Sequence, residues 1–237
     1  MLEILKRIRY RIRVYLKGLF FIFLPDQKVN IVDRFHQLYY DSNLLGGTWR
    51  NTSFLGVPAQ KCPLDLFIYQ EILFDLKPDL IIETGTASGG GAYFLASMCE
   101  LIGHGEVITI DITNTAVSPR HKRIKYILGS STSEQVYRQV ENIAKDKKII
   151  LVILDSDHSK KHVLRELKLY NKFVSIGSYL IVEDTNINGH PVNKEHGDGP
   201  MEAVEEFLTK NKEFEIDKSR EKYYLTFNPN GYLKKIK

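Results

Sequence analysis

Apolar runs alternate with amphipathic segments along most of this 237-residue chain. Short apolar runs that stop at polar or glycine residues predict strands, and longer segments with apolar positions three or four residues apart predict helices. The predicted strands lie at 79–83, 106–110, 123–128, 149–154, 178–182, 213–218 and 222–227, and the predicted helices at 63–76, 90–102, 132–145, 159–173 and 201–211. Strands that mostly alternate with helices predict an α/β fold with a doubly wound, mostly parallel sheet of seven strands.

The start of the chain has a different pattern. Residues 1–26 predict one basic amphipathic helix, in which Ile8, Ile12 and Leu16 share a face and Lys6 and Arg13 lie on another. We therefore divide the chain into this helical appendage, a helical and loop segment at 27–78 that covers the functional site, and a core at 79–237. A basic helix of this kind either lies on an anionic membrane surface or docks on its own domain or on a second copy of the chain, and the sequence leaves these interpretations open.

Charge and cysteine content narrow the class of protein. Residues 1–24 carry six basic residues and one acidic residue, a net of +5, so the overall +4 leaves −1 for the remainder. A nearly neutral core without a basic groove argues against a nucleic-acid partner. Two cysteines give no disulfide framework and indicate a reducing compartment. The apolar run at 18–24 is too short to span a bilayer, so we expect a cytoplasmic protein, peripheral at the inner membrane surface if the first helix binds lipid.

A glycine-rich turn follows the first core strand. Residues 83–91 read Glu-Thr-Gly-Thr-Ala-Ser-Gly-Gly-Gly between a predicted strand and a predicted helix, and Asp111 ends the next strand. This arrangement holds a nucleotide-like ligand at the helix N-terminus, with the second acid placed to bind ribose hydroxyls. Ala87 stands where a dinucleotide fingerprint requires glycine, which disfavours NAD or FAD. Glu83 would repel a phosphate and suits a positively charged ligand, so we predict an adenosine-containing cofactor of that kind.

Further acids end the fourth and fifth predicted core strands. Asp155 follows one strand, and Glu183 and Asp184 follow the next. Because the carboxyl ends of adjacent parallel strands meet at one edge, we expect these carboxylates to converge, and convergent acids repel unless a cation joins them. Hard oxygen ligands favour Mg²⁺. Asp157 is a second candidate ligand, and its alternative role is to cap the helix that starts near Ser159.

Taken together, these motifs resemble one family. Glu-Thr-Gly-Thr-x-x-Gly-Gly from Glu83, Asp-x-x-His from Asp155 and Gly-x-Tyr-Leu-Ile-Val-Glu-Asp from Gly177 resemble the cephalosporin hydroxylase and rhamnosyl O-methyltransferase family, as do the patterns at 62–65, 69–72, 77–79 and 199–200. The resemblance covers roughly 50–227. It implies a Rossmann-like class I methyltransferase fold that binds S-adenosylmethionine and Mg²⁺.

The resemblance also implies roles for particular residues. Asp155, Glu183 and Asp184 would bind the metal, and His158 would act as the general base. Asp155 is preferred to Asp157 because of its spacing to His158. The expected cofactor-binding residues are Glu83, Gly85, Thr86, Ala87, Gly89, Gly90, Asp111, Gly129, Ser130 and Ser131.

The implied reaction is O-methylation of a sugar hydroxyl in a glycolipid, polysaccharide or glycosylated natural product. A catechol or other phenolic acceptor, which also chelates Mg²⁺, is the alternative enzyme, and an inactive methyltransferase-like binding module is the alternative outside enzymes. A 2-oxoglutarate hydroxylase is disfavoured, because His196-Gly197-Asp198 has no later histidine and the fold pattern is wrong. The polar segment 185–199 has the character of an active-site lid, in which His190 and His196 would approach substrate.

Overall fold

The computed structural model describes residues 2–42, 48–113 and 118–237. Its helices and strands, in chain order, are α1 (Leu2–Phe23), α2 (Pro25–Asp41), β1 (Ser53–Phe54), β2 (Val57–Pro58), α3 (Pro63–Leu76), β3 (Leu80–Thr84), α4 (Gly90–Ile102), β4 (Glu106–Asp111), β5 (Ile124–Leu128), α5 (Glu134–Ala144), β6 (Ile150–Leu154), α6 (Lys160–Tyr170), β7 (Tyr179–Val182), α7 (Pro200–Lys210), β8 (Phe214–Ile216) and β9 (Tyr232–Lys235).

Seven strands form the central sheet in the order β5-β4-β3-β6-β7-β9-β8. β3 pairs in parallel with both β4 and β6, and β9 runs antiparallel between β7 and β8. The predicted α/β fold with a mostly parallel, seven-stranded sheet is therefore confirmed. Since β3 and β6 are central, their carboxyl ends lie side by side at the middle of one edge.

Helices cover both faces of this sheet. Ile82 and Val152 belong to an apolar core shared with α5, α6 and α7, whereas Ile81 and Ile153 belong to a core shared with α3 and α4. Every residue of β3 and β6 is buried, which explains why these strands read as continuous apolar runs rather than as alternating patterns.

The predicted strand at 222–227 is wrong. The last strand is β9, and residues 218–221 form a 3₁₀ helix instead of a hairpin turn. Thr226 Oγ1 and the Phe227 amide donate to the buried carboxylate of Asp65 in α3, at 2.5 and 2.8 Å. The apolar side chains of this segment therefore pack against α3 and the N-terminal segment rather than in the sheet.

The N-terminal helices differ in how far they join the core. In α1, Ile8, Ile12 and Leu16 are about half exposed, at 48, 54 and 58% of their surface. In α2, His36 is buried and stacks on Phe227, with ring centroids 5.8 Å apart. Among the described helices, none combines the length and apolar character needed to cross a bilayer. The division of the chain at residues 26 and 78 stays a prediction.

Candidate active site

The turn after β3 approaches the end of β6 so closely that only glycine fits. Gly85 has φ +88°, and a Cβ built there would lie 1.7 Å from the carbonyl oxygen of Asp155. A side chain at this position would push the two strand ends apart. The glycine therefore brings the glycine-rich turn directly against the residue that begins the acidic cluster.

A cavity of about 520 Å³ opens beside this turn. Its walls include Gly85, Ala87, Asp111, Gly129, Ser130, Ser131, Asp155, Ser156, Asp157 and His162. Six of the predicted cofactor-binding residues thus surround one space at the carboxyl ends of β3, β4, β5 and β6. This is where ligands bind in open α/β sheets.

Asp111 organises the turn. Its Oδ2 accepts hydrogen bonds from the amides of Thr86 and Ala87, both at 3.0 Å, and its Oδ1 accepts from the amide and hydroxyl of Thr113. Burial would raise the pKa of Asp111, but these hydrogen bonds hold the pKa below its ordinary value. The carboxylate is thus ionised and already engaged with the loop that borders the cavity.

The other predicted cofactor residues lie outside the cavity wall. Gly89 ends the turn at φ +84° and precedes α4, and a Cβ on Gly90 would lie 2.3 Å from the carbonyl oxygen of Pro58. Glu83 is 1% exposed and accepts a hydrogen bond from Thr109 Oγ1 at 2.7 Å. Thr86 is also buried. Cofactor contacts through Glu83, Thr86, Gly89 and Gly90 stay predictions.

An acidic cluster adjoins the cavity. Asp155, His158 and Asp184 each present one ligand atom, and these three atoms lie within 4.8 Å of one another. His158 Nε2 is 3.2 Å from Asp184 Oδ2. Burial alone would lower the pKa of His158, but the carboxylates of Asp184 and Asp155 outweigh it and raise the pKa. Burial raises the pKa of both Asp155 and Asp184.

Glu183 points to a different partner. Its Oε1 accepts hydrogen bonds at 2.8 Å from Lys61 Nζ and from the hydroxyl of Tyr69. Lys61 Nζ also donates to Asp155 Oδ2 at 2.5 Å. Burial would lower the pKa of Lys61, but Asp155 and Glu183 hold the pKa well above its ordinary value. The structure thus brings Asp155, Asp184 and His158 together and places Glu183 beside a buried ammonium group.

Sequence reasoning missed Lys61 and Tyr69. Lys61 stands between Gln60 and Cys62 in a polar stretch ahead of α3, where a lysine is ordinary. Tyr69 reads as an apolar position of α3. Tyr69 reaches the site through the packing of α3 on the sheet, and Lys61 through the segment before α3, so the sequence pattern carries no local signal for them.

Asp157 and the histidines near the site have other partners. Asp157 Oδ1 accepts a hydrogen bond from the Ser159 amide at 2.7 Å, but Ser159 itself is the N-cap of α6, so the predicted capping role of Asp157 is wrong. His162 Nε2 lies 3.2 Å from Ser131 Oγ in the cavity wall. His190 Nε2 lies 2.9 Å from Glu202 Oε1, whereas His196 is exposed.

The sheet order, the glycine-rich turn and the acids at the strand ends define the class of protein: this is the class I methyltransferase fold. A solved structure of CmcI in apo form matches with a TM-score of 0.63 at 16% identity, over 84% of each chain. The family model described as rhamnosyl O-methyltransferase/CmcI matches residues 46–236, and the chain belongs to this family of O-methyltransferases.

Curated relatives agree with this assignment. The rhamnosyl O-methyltransferase of Mycobacterium tuberculosis (strain H37Rv) is 39% identical over 210 residues, which are 86% of this chain and 84% of the relative. The rhamnosyl O-methyltransferase of Mycobacterium leprae (strain TN) is 38% identical over 86% of this chain and 90% of the relative.

Proposed function

We propose that the protein transfers a methyl group from S-adenosylmethionine to a hydroxyl group of a sugar or glycosylated acceptor, with Mg²⁺ bound at the acidic cluster. One observation carries this proposal. Asp155 lines the cavity beside the glycine-rich turn and also belongs to the cluster with His158 and Asp184. A methyl donor in the cavity and an acceptor hydroxyl at the cluster would therefore be neighbours, as in-line transfer requires.

The cavity suits an adenosine-containing cofactor with a positive charge. Asp111 is proposed to bind the ribose hydroxyls in place of the Thr113 hydroxyl, which now donates to its Oδ1. Gly129, Ser130 and Ser131 are proposed to border the adenine. Asp155 in the cavity wall would favour a sulfonium over a phosphate, because the two negative charges of a carboxylate and a phosphate repel.

Calorimetry with S-adenosylhomocysteine and NAD tests the cofactor assignment. We expect S-adenosylhomocysteine to bind much more tightly than NAD, and Asp111→Ala to weaken its binding by about 1–3 kcal/mol. Asp146→Ala, an exposed acid on the opposite edge of the sheet, is the matched control. Tighter binding of NAD would reject the cofactor, and unchanged affinity in Asp111→Ala would reject the ribose contact.

The donor set of the cluster fits a hard divalent cation. Asp155 and Asp184 offer carboxylate oxygens close together at half-buried positions, and such hard oxygen ligands suit Mg²⁺. We propose that Asp155, Glu183 and Asp184 bind the metal. Bound Mg²⁺ would lower the pKa of a coordinated acceptor hydroxyl.

His158 is proposed to accept the proton of the acceptor hydroxyl. The Asp184 carboxylate at 3.2 Å stabilises the imidazolium that forms, as a carboxylate does beside other catalytic histidines. Lys61 donates to two carboxylates and has no free lone pair while it does so, which leaves His158 as the base among the described groups of the cluster.

A sugar acceptor is supported by the names of the curated relatives, which are rhamnosyl O-methyltransferases. We therefore propose a deoxyhexose hydroxyl, such as that of a rhamnosyl glycolipid, as the first acceptor to test. A catechol offered in the same assay separates this proposal from phenolic O-methylation.

We further propose that α1 holds the enzyme against an anionic membrane surface. The exposed face formed by Ile8, Ile12 and Leu16 would enter the headgroup region, and the basic residues would meet lipid phosphates. The net charge of +5 in residues 1–24 matches an anionic leaflet better than a second copy of the same basic helix. Such an anchor would bring the active site to a lipid-linked acceptor.

A further inference from the structure

Lys61 lies among the carboxyl ends of β3, β6 and β7. Its side chain is 5% exposed, and its ammonium group bridges Asp155 Oδ2 at the end of β6 and Glu183 Oε1 at the end of β7. A Cβ added to Gly91 would lie 2.9 Å from Lys61 Cε and 2.7 Å from Glu83 Oε1, so Lys61 also passes close to Glu83, the acid within the last two residues of β3.

The backbone of Lys61 is fixed by a second pair of hydrogen bonds. Its amide donates to Thr52 Oγ1 at 3.1 Å, and the Thr52 hydroxyl contacts the Lys61 carbonyl oxygen at 3.0 Å. Gly91 leaves the space through which the side chain passes. Thr52 therefore fixes the backbone of Lys61, and Gly91 in α4 leaves room for the Lys61 side chain to reach the acids.

Two acids at these positions need a positive charge. Leu154 and Val182 are register partners in the β6–β7 pair, so Asp155 and Glu183 follow them on adjacent strands. Buried carboxylates on adjacent strand ends repel each other, and a buried lone ammonium group is equally unfavourable. The ammonium group offsets the repulsion between the two carboxylates, and the carboxylates offset the cost of burying the ammonium group, only while all three charges are present.

We propose that Lys61 is a built-in counter-cation for the metal-binding acids: it holds Asp155 and Glu183 in place from the inner side, so that the cluster stays assembled when no metal is bound. This inference rests on the proposed metal site. With Oδ2 bound to Lys61, Asp155 would offer its Oδ1 to a metal ion. Lys61 is thus a positioning residue, which acts through two carboxylates rather than on the substrate.

The test compares thermal unfolding of the full-length wild type and Lys61→Met, each in excess chelator and in millimolar Mg²⁺. We expect Lys61→Met in chelator to unfold roughly 5–15 °C below the wild type, because two buried carboxylates lose their cation. Mg²⁺ should then raise the Tm of the variant by more than it raises that of the wild type, since the metal replaces part of the missing charge. Lys222→Met, which breaks the surface pair with Glu71, is the matched control and should show neither effect.

A double-mutant cycle with Glu183→Gln makes the test decisive even if Lys61→Met does not fold alone. Removing one acid should restore stability to the variant, so Lys61→Met should lower the Tm much less in the Glu183→Gln background than in the wild type. Equal Mg²⁺-induced shifts in wild type and Lys61→Met, together with additive losses in the cycle, would overturn the proposal. A double variant that is as unfolded as Lys61→Met would also overturn it.

The same titrations separate this inference from the proposed function. A wild type that does not bind Mg²⁺ by calorimetry rejects the metal site. The energetic coupling between Lys61 and Glu183 is measured in chelator, without metal, cofactor or acceptor. If that coupling is absent, the counter-cation role of Lys61 is rejected and the proposed function is unaffected.

Discussion

His158 Nε2 lies 3.2 Å from Asp184 Oδ2, at the point where the loops after β6 and β7 meet. The contact joins a histidine four residues beyond the end of β6 to the acid two residues beyond the end of β7. It couples the proposed base to a proposed metal ligand, so that the protonation state of His158 depends on the charge of the acidic cluster. The carboxylates raise the pKa of His158 despite its burial.

Removal of the proposed base should slow turnover without loss of binding. We expect His158→Ala to lower kcat by about a hundredfold or more, the usual contribution of a positioned general base. A base must be neutral, so wild-type kcat should fall as pH drops through the pKa of His158, and the variant should lose this lower limb.

His104→Ala is the control for that experiment, because His104 is half exposed and binds Asp79 on the opposite edge of the sheet. It should keep the wild-type pH profile. Near-normal kcat in His158→Ala would show that another group takes the proton.

The acids of the cluster should differ from Asp157 in metal binding. We expect Asp155→Asn and Asp184→Asn to abolish Mg²⁺ binding in calorimetry while affinity for S-adenosylhomocysteine changes little. Asp157→Asn should keep Mg²⁺ binding, because its carboxylate accepts the Ser159 amide instead. Loss of metal binding in Asp157→Asn, with retention in Asp155→Asn, would reverse the assignment.

Glu202 should make the stability of the segment 185–199 depend on pH. Its carboxylate accepts from the Gly199 amide at 2.6 Å and from Asn188 Nδ2 at 2.9 Å, and His190 lies beside it. Although burial opposes them, these contacts lower its pKa from 4.5 to about 2. A lowered pKa in the folded state stabilises the protein above the unfolded pKa, and this stability is lost as pH falls from about 4.5 towards 2.

We therefore expect Glu202→Gln to lower the free energy of unfolding by about 1–3 kcal/mol at pH 7, with a difference that shrinks below pH 4.5. Urea titrations between pH 7 and pH 3 measure it. Glu205→Gln, exposed on the same helix, should have no such effect. A constant difference at every pH would mean that the charge of Glu202 is irrelevant.

Removal of α1 should abolish membrane binding but not cofactor binding. A chain that starts at Asp26 should bind S-adenosylhomocysteine normally and no longer sediment with vesicles that contain phosphatidylglycerol. The full-length protein should bind these vesicles and release them at high salt, since charge attraction is screened. Equal binding to neutral vesicles would contradict an electrostatic contact, and a change of oligomeric state without vesicle binding would assign α1 to a protein interface.

Much of this architecture follows from the sequence because its signals are local. Apolar runs that end in Glu83, Asp111, Asp155 and Glu183 identify strands of a parallel sheet, and the parallel arrangement alone gathers their ends. The bounds of α3 and α4 agree with the predicted segments 63–76 and 90–102, because each helix starts and stops at proline or glycine signals.

The remainder depends on contacts between distant parts of the chain. Lys61 and Tyr69 reach Glu183 across more than a hundred residues, and no periodicity records such a contact. The segment 222–227 has a strand-like pattern, but Asp65 accepts hydrogen bonds from the Thr226 hydroxyl and the Phe227 amide, and β9 takes the place in the sheet.

A methyl-transfer assay with S-adenosylmethionine and a rhamnosyl acceptor tests the central claim most directly. The wild type should methylate the sugar hydroxyl in Mg²⁺, stop in excess chelator and recover when Mg²⁺ or Mn²⁺ is restored. Catechol should be methylated far more slowly. Full activity towards the sugar in excess chelator would contradict the metal-assisted mechanism, and methylation of catechol but not of the sugar would contradict the proposed acceptor.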